Sequence, residues 1–230
     1  LFRRGLRRAS ELLAAGTWQY DRPVENRWAK ARHFDEVLNY FRLTQIGEKQ
    51  RLHQYLRFYF LSMGIATFIG GVIGHGFLYL FSFAWKLPGW LTSMFSIALI
   101  ERASIEQARK LISPKLGRLL AWLNIIELLT FMTLTFSTLN FFFVEVHTTY
   151  GLLIVVASLN IFIYLRTRDP GSKLFIIAVT FSALGALVFM NQWSIHMWFN
   201  YLDLSHVLLA ISAFFFYKGS RIIILSTRQK

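Results

Sequence analysis

Hydrophobic residues along this chain come in long runs, not in the short alternations of a soluble core. Six runs approach the ~20 residues that a helix needs to cross a bilayer. They cover about 56–83, 88–112, 117–138, 149–165, 172–193 and 203–225, with Phe141 to Val144 entering the interface ahead of the fourth. Pro88 suits the first turn of the second run, where its missing N–H costs nothing. The links are short, so neighbouring helices are expected to be antiparallel. The pattern predicts an all-α polytopic membrane bundle over 56–225, preceded by a polar region over 1–55 and followed by a tail over 226–230.

Charge placement fixes the expected orientation. Lys86 is the only Lys or Arg in the three links near 86, 140–148 and 191–202. The opposite side carries Arg109, Lys110, Lys115 and Arg118, then Arg166, Arg168 and Lys173, then Lys218, Arg221, Arg228 and Lys230. The excess of basic residues on cytoplasmic loops places 1–55 and the C-terminus in the cytoplasm. In the first region Arg3, Arg4, Arg7 and Arg8 precede a helix expected over about 23–43. Its stripe is Val24, Trp28, Ala31, Val37, Leu38 and Phe41, which suits either a membrane surface or the flank of the bundle. The first sixteen residues have no apolar core of a signal peptide. The chain opens at Leu1, not Met, so a further segment upstream is expected.

Composition narrows the chemistry. The chain is 55% hydrophobic and holds 23 Phe, which fits spans better than a soluble core. Its net charge of +13 lies between apolar runs, where it reads as loop orientation and excludes nucleic acid as the partner. The lipid bilayer is the expected partner, with other membrane subunits as a second class. With no Cys, only His and carboxylates remain as metal ligands. No phosphate-binding loop and no G-x-S-x-G nucleophile turn occurs. A haem between His75 and His206 lacks any further support, and Lys218 lies at a helix end, away from any retinal-binding depth.

Polar residues inside the spans are the candidates for function, because ionisable groups there face the bundle interior and pair. Glu127 follows Gly117 by ten residues, about 15 Å into the membrane at 1.5 Å per residue. The second run carries Glu101 and Arg102, with Arg102 about 18 Å from Trp90 and still short of the inner edge. Glu101, Arg102 and Glu127 form the expected buried charge network, with Arg102 paired to Glu101 or Glu127. Such a network either fixes packing or serves proton or ion transport. On the outer side, His75 lies among Gly70, Gly71, Gly74 and Gly76. Asn200, Asp203 and His206 recur at a spacing of three, which shares one helix face. Asp203 is suited to cap the last helix. It also suits a Zn²⁺ site with His75 and His206, with Asn200 and Asp203 as catalytic groups. Glu145 and His147 are expected in a solvated loop.

The Gly70-Gly71-x-x-Gly74-His75-Gly76 segment and the Phe199-Asn200-x-x-Asp203-x-x-His206 segment resemble an uncharacterised family of seven-helix bacterial membrane proteins. That group is in turn similar to the ceramidase and adiponectin-receptor-like membrane hydrolases. The resemblance implies a seventh helix before Leu1, zinc held by His75 and His206, and hydrolysis of a lipid amide or ester near the outer leaflet. Two departures stand out. The last helix carries only His206, with Ala210 four residues on, and no acid occurs between Phe83 and Trp90. Asp203 would therefore complete the ligand set. The alternative expectation is a non-catalytic membrane subunit docked to a larger assembly.

Overall fold

The computed structural model describes residues 25–46, 50–76, 80, 82–196 and 198–228; at 25–34, 74–76, 227 and 228 the description is of the backbone alone. The segment 1–24, with its arginines, Leu12, Leu13 and Val24, lies outside the described residues. Those described are almost wholly helical. In chain order the helices are α1 (Glu25–Thr44), α2 (Arg51–Ile69) running into a π-helical turn (Gly70–Gly76), and α3 (Leu87–Ala108) after a short 3-10 turn. They continue with α4 (Pro114–Thr138), α5 (Phe142–Thr149), a π-helical stretch (Tyr150–Val156), α6 (Ala157–Thr167), α7 (Pro170–Asn191) and α8 (Tyr201–Arg228).

Among the described residues, five helices are long and apolar enough to cross a membrane: Arg51–Ile73, Pro114–Thr138, Phe142–Thr167, Pro170–Asn191 and Tyr201–Ser226. The sequence led to six. The one that drops out is α3, whose Glu101 and Arg102 and hydroxyl residues dilute its apolar run. Its place in the bundle explains why this is tolerated. One whole face of α3 is buried, from Met94 through Ile97, Ile100 and Ser104 to Ala108. A helix packed against protein on that face need not be apolar all round. By contrast α4 stands at the edge, with only 11% of its span buried against 28–33% in the other four.

Local chemistry sets the helix ends. Ser113 accepts from the Leu116 amide, and Pro114 follows it in the first turn of α4. Asp169 caps α7 in the same way, ahead of Pro170, with Ser172 N donating at 2.7 Å. Leu139, Arg168 and Gln192 close α4, α6 and α7 in the left-handed conformation.

The core joins α2, α3, α7 and α8. Phe216 meets Tyr59 and Phe175 edge-on, with ring centroids 5.7 and 5.1 Å apart. Where α7 crosses α8, a Cβ on Gly219 would lie 2.6 Å from the Phe175 ring, so only glycine admits this approach. Hydroxyl pairs bridge the helices: Ser96 to Ser62 at 2.9 Å and Ser182 to Ser212 at 2.7 Å. Helix α1 packs on α2, with Leu43 fully buried and Glu36 accepting from Thr67 Oγ1 at 3.0 Å. Over 35–44 its buried residues are Glu36, Asn39 and Leu43, while Phe41 of the expected stripe is exposed and the side chains of Trp28 and Ala31 lie outside the description. The Thr67 hydroxyl at Glu36 and the His53 ring at the Leu43 carbonyl, not apolarity alone, hold that face on α2.

Candidate functional site

Three ionisable side chains converge in the interior, one from each of three successive helices. Glu101 lies on the buried face of α3, Glu127 midway along α4, and His147 in α5. Glu101 and His147 have no exposed surface, and the Glu127 side chain is 13% exposed. One ligand atom from each lies within 4.8 Å of the other two. Among the described residues this is the grouping of His, Asp and Glu that suits a metal ion.

The segment carrying His147 departs most from the sequence reading. The link 140–148 shortens to a turn around Asn140, and a helix begins at Phe142. His147 is then fully buried, whereas a solvated loop was expected. Val144, His147 and Gly151 fall on one buried face at helical spacing. The π-helical stretch then widens the turn, which lets Val156 and Asn160 keep the same inward face. Such stretches are uncommon and concentrate at functional sites. Gly151 is required here: a Cβ would collide with Glu101 Oε1 and stand 2.6 Å from Ile97 Cγ2.

Hydrogen bonding fixes the state of the imidazole. Its Nε2 lies 2.9 Å from the Met94 carbonyl, which can only accept, so Nε2 carries a proton. Nδ1 is thereby aimed at Glu127 Oε1, 2.6 Å away. One proton is shared along that line, giving either imidazolium with carboxylate or neutral imidazole with carboxylic acid. Glu101 Oε2 accepts from Asn124 Nδ2 at 3.0 Å. Two carboxylate oxygens, Glu101 Oε1 and Glu127 Oε2, are buried with no hydrogen-bond partner. Buried polar atoms are ordinarily bonded, so these two are open capacity.

The donor set fits a divalent cation. A ligating imidazole typically donates its second N–H to a carbonyl or carboxylate, which orients the ring, and the Met94 carbonyl does this here. Imidazole plus two carboxylates leaves a fourth position for water or substrate.

The other expected site residues fall elsewhere. Arg102 points away from Glu127, donating to the Ala121 carbonyl and lying 6.0 Å over the Tyr55 ring. Glu127 is thus paired with His147, not with Arg102. Neighbours in sequence on a helix point about 100° apart, so Glu101 and Arg102 cannot both face the centre. At the start of α8 it is Asn200, not Asp203, that stands at the cap. Asn200 Oδ1 accepts from Leu202 N at 2.8 Å and Asp203 N at 3.3 Å, and Asp203 Oδ2 accepts from Asn200 N at 3.1 Å. This reciprocal box uses both side chains. His206 Nδ1 lies 2.6 Å from the Leu202 carbonyl. The backbone of His75 sits in the π-helical turn, and its imidazole lies outside the described side chains.

Fold and centre together define a polytopic helical membrane protein with a buried carboxylate–imidazole centre. The chain belongs to a family of unknown function (DUF6962), whose model matches residues 37–224 and so takes in four of the five apolar spans and all but the last two residues of the fifth. No curated protein and no solved structure matches the chain.

Proposed function

We propose that this chain holds a divalent cation such as Zn²⁺ between Glu101, Glu127 and His147, and that it acts as a metal-dependent membrane hydrolase on a lipid amide or ester. The carrying observation is the fully buried imidazole, turned by the Met94 carbonyl toward two carboxylates that each keep an unbonded oxygen. A cation there supplies Lewis acidity toward a carbonyl. Hydrolysis consumes one water per bond: the hydroxyl joins the acyl carbon and the remaining proton goes to the departing amine or alcohol. A cation held by His147 Nδ1 would displace the proton that Nδ1 shares with Glu127 Oε1, so binding would release that proton from the centre. Glu127 is the partly exposed member of the three, so access to the centre runs past α4. The ceramidase-like resemblance supports the same reaction class, with the ligands moved from His75, Asp203 and His206 to this centre.

Elemental analysis of the purified full chain after exposure to ZnCl₂ tests the site. About one zinc per chain is expected, lost in Glu127→Gln and in His147→Ala but kept in His206→Ala. Fatty-acid release from lipid vesicles by the zinc-loaded protein then tests the reaction. Zinc bound with no release would remove the hydrolase and keep the metal centre.

A second reading, a non-catalytic membrane subunit, is favoured by the long unpacked apolar face of α4, where Trp122, Ile126 and Leu129 are exposed. It predicts that other membrane subunits co-purify with the chain, and that Trp122→Ala together with Ile126→Ala releases them.

A further inference from the structure

Below the centre, α3 continues a line of buried polar groups that the metal-binding reading does not use. Ser104 follows Glu101 by three residues and Gln107 follows Ser104 by three, so each stands about 4.5 Å further along one face. Ser104 Oγ accepts from Asn160 Nδ2 of α6 at 3.0 Å. Gln107 Nε2 donates to Ser172 Oγ at 3.0 Å and to Asp169 Oδ2 at 3.1 Å. Asp169 lies at the turn between α6 and α7, at the edge of the bundle and beside Arg168 and Lys173. Glu101, Ser104, Asn160 and Ser172 have no exposed surface.

Two atoms along this line lack partners: Glu101 Oε1 and Asn160 Oδ1. Both are acceptors: Glu101 Oε1 lies against Gly151, and Asn160 stands nine residues further along the same inward face. Asn160 Nδ2 is committed to Ser104 Oγ and to the Val156 carbonyl at 2.8 Å, which fixes the amide's orientation and leaves Oδ1 as the open end. A buried acceptor left unbonded costs free energy, and ordered water is the ordinary way to satisfy it. Water has two hydrogens to donate and so suits a site that presents only acceptors.

We propose that Glu101, Ser104, Asn160, Gln107, Ser172 and Asp169 line a narrow water route from the Glu101–Glu127–His147 centre to the membrane face bearing the α6–α7 turn. The route delivers the water that hydrolysis consumes from the aqueous edge to the centre. Its use in hydrolysis rests on the function proposed above; its existence does not, because hydration of the line requires no metal and no substrate. By the placement of basic residues this face is the cytoplasmic one, whereas α5 reaches the centre from the opposite side.

The absence of Cys permits a direct test. Single-cysteine full-length chains carrying Ser104→Cys, Asn160→Cys, Ser182→Cys or Lys173→Cys are reconstituted in vesicles without added metal. Ser182, between α7 and α8, is buried at 8% exposure but lies off the line, and Lys173 marks the face. Silver ion is added from one side at a time, and the thiol left free is counted with a maleimide after denaturation. Ser104→Cys and Asn160→Cys are expected to react at least tenfold faster than Ser182→Cys, and only from the face at which Lys173→Cys reacts. Rates no faster than that of Ser182→Cys, or faster reaction from the other face, would overturn the route. Melting midpoints of the four variants, compared with the parent chain, show that slow reaction is not misfolding. Because zinc is absent throughout, failure here leaves the metal centre standing, and failure of the zinc assay leaves the route standing.

Discussion

The interior centre and the start of α8 are built from the same residue types and have different fates. Each holds a buried carboxylate within reach of hydrogen-bond donors and near a histidine. At α8 the carboxylate of Asp203 and the amide of Asn200 close on the helix's own first N–H groups, and His206 turns to a carbonyl one turn back. Between α3, α4 and α5 the bonds cross from helix to helix, and two carboxylate oxygens are left over. Spacing along the chain cannot tell a cap from a site. Leftover bonding capacity in a buried place can.

The largest effect should follow from stranding a charge at the centre. His147→Ala leaves Glu127 buried without its partner and should destabilise the protein by about 3–5 kcal/mol. Adding Glu127→Gln to that variant should recover part of the loss, since the double change removes the stranded carboxylate. Thermal midpoints of the three proteins in detergent would show this, and a double variant weaker than His147→Ala alone would contradict it.

A smaller effect is expected from crowding the same place. Gly151→Ala puts a methyl against Glu101 and Ile97, with an expected loss of about 1–3 kcal/mol from overpacking. Gly70→Ala is the comparison, because a Cβ there meets nothing within 4 Å, and it should stay within about 0.5 kcal/mol of the parent. Equal midpoints for the two alanine variants would mean that α3 and the π-helical stretch are not in close contact.

The start of α8 should respond least. Asn200→Ala removes one cap and should cost about 1 kcal/mol. It should leave zinc content unchanged, since the box is structural. Loss of metal in that variant would return Asn200 and Asp203 to the list of site residues.

Much of the fold could be read from the sequence, because hydrophobic run length and Lys/Arg placement act locally and add up over twenty residues. The all-α bundle follows from those runs, and three of the five apolar spans, Pro114–Thr138, Pro170–Asn191 and Tyr201–Ser226, match them within three residues at their ends. The second run forms the expected helix, but its eleven residues from Trp90 to Ile100 include Thr92, Ser93 and Ser96, and it is burial by its neighbours that tolerates Glu101. Glu101 and Glu127 could be picked out as intramembrane acids. His147 was hidden by its flank: Glu145, Thr148 and Thr149 look like a loop, and only the continued spacing Val144, His147, Gly151 marks an inward face. The pairing of Glu127 with His147 over Arg102 depends on helix rotation and on the π-helical stretch, neither of which is written in spacing alone.

X-ray absorption at the zinc edge of the loaded full-length chain tests the central claim most directly. The account predicts a shell of nitrogen and oxygen ligands containing the scattering signature of one imidazole, abolished by His147→Ala and unchanged by His206→Ala. Two imidazoles per zinc, surviving His147→Ala and lost in His206→Ala, would contradict it and place the metal at the other end of the bundle.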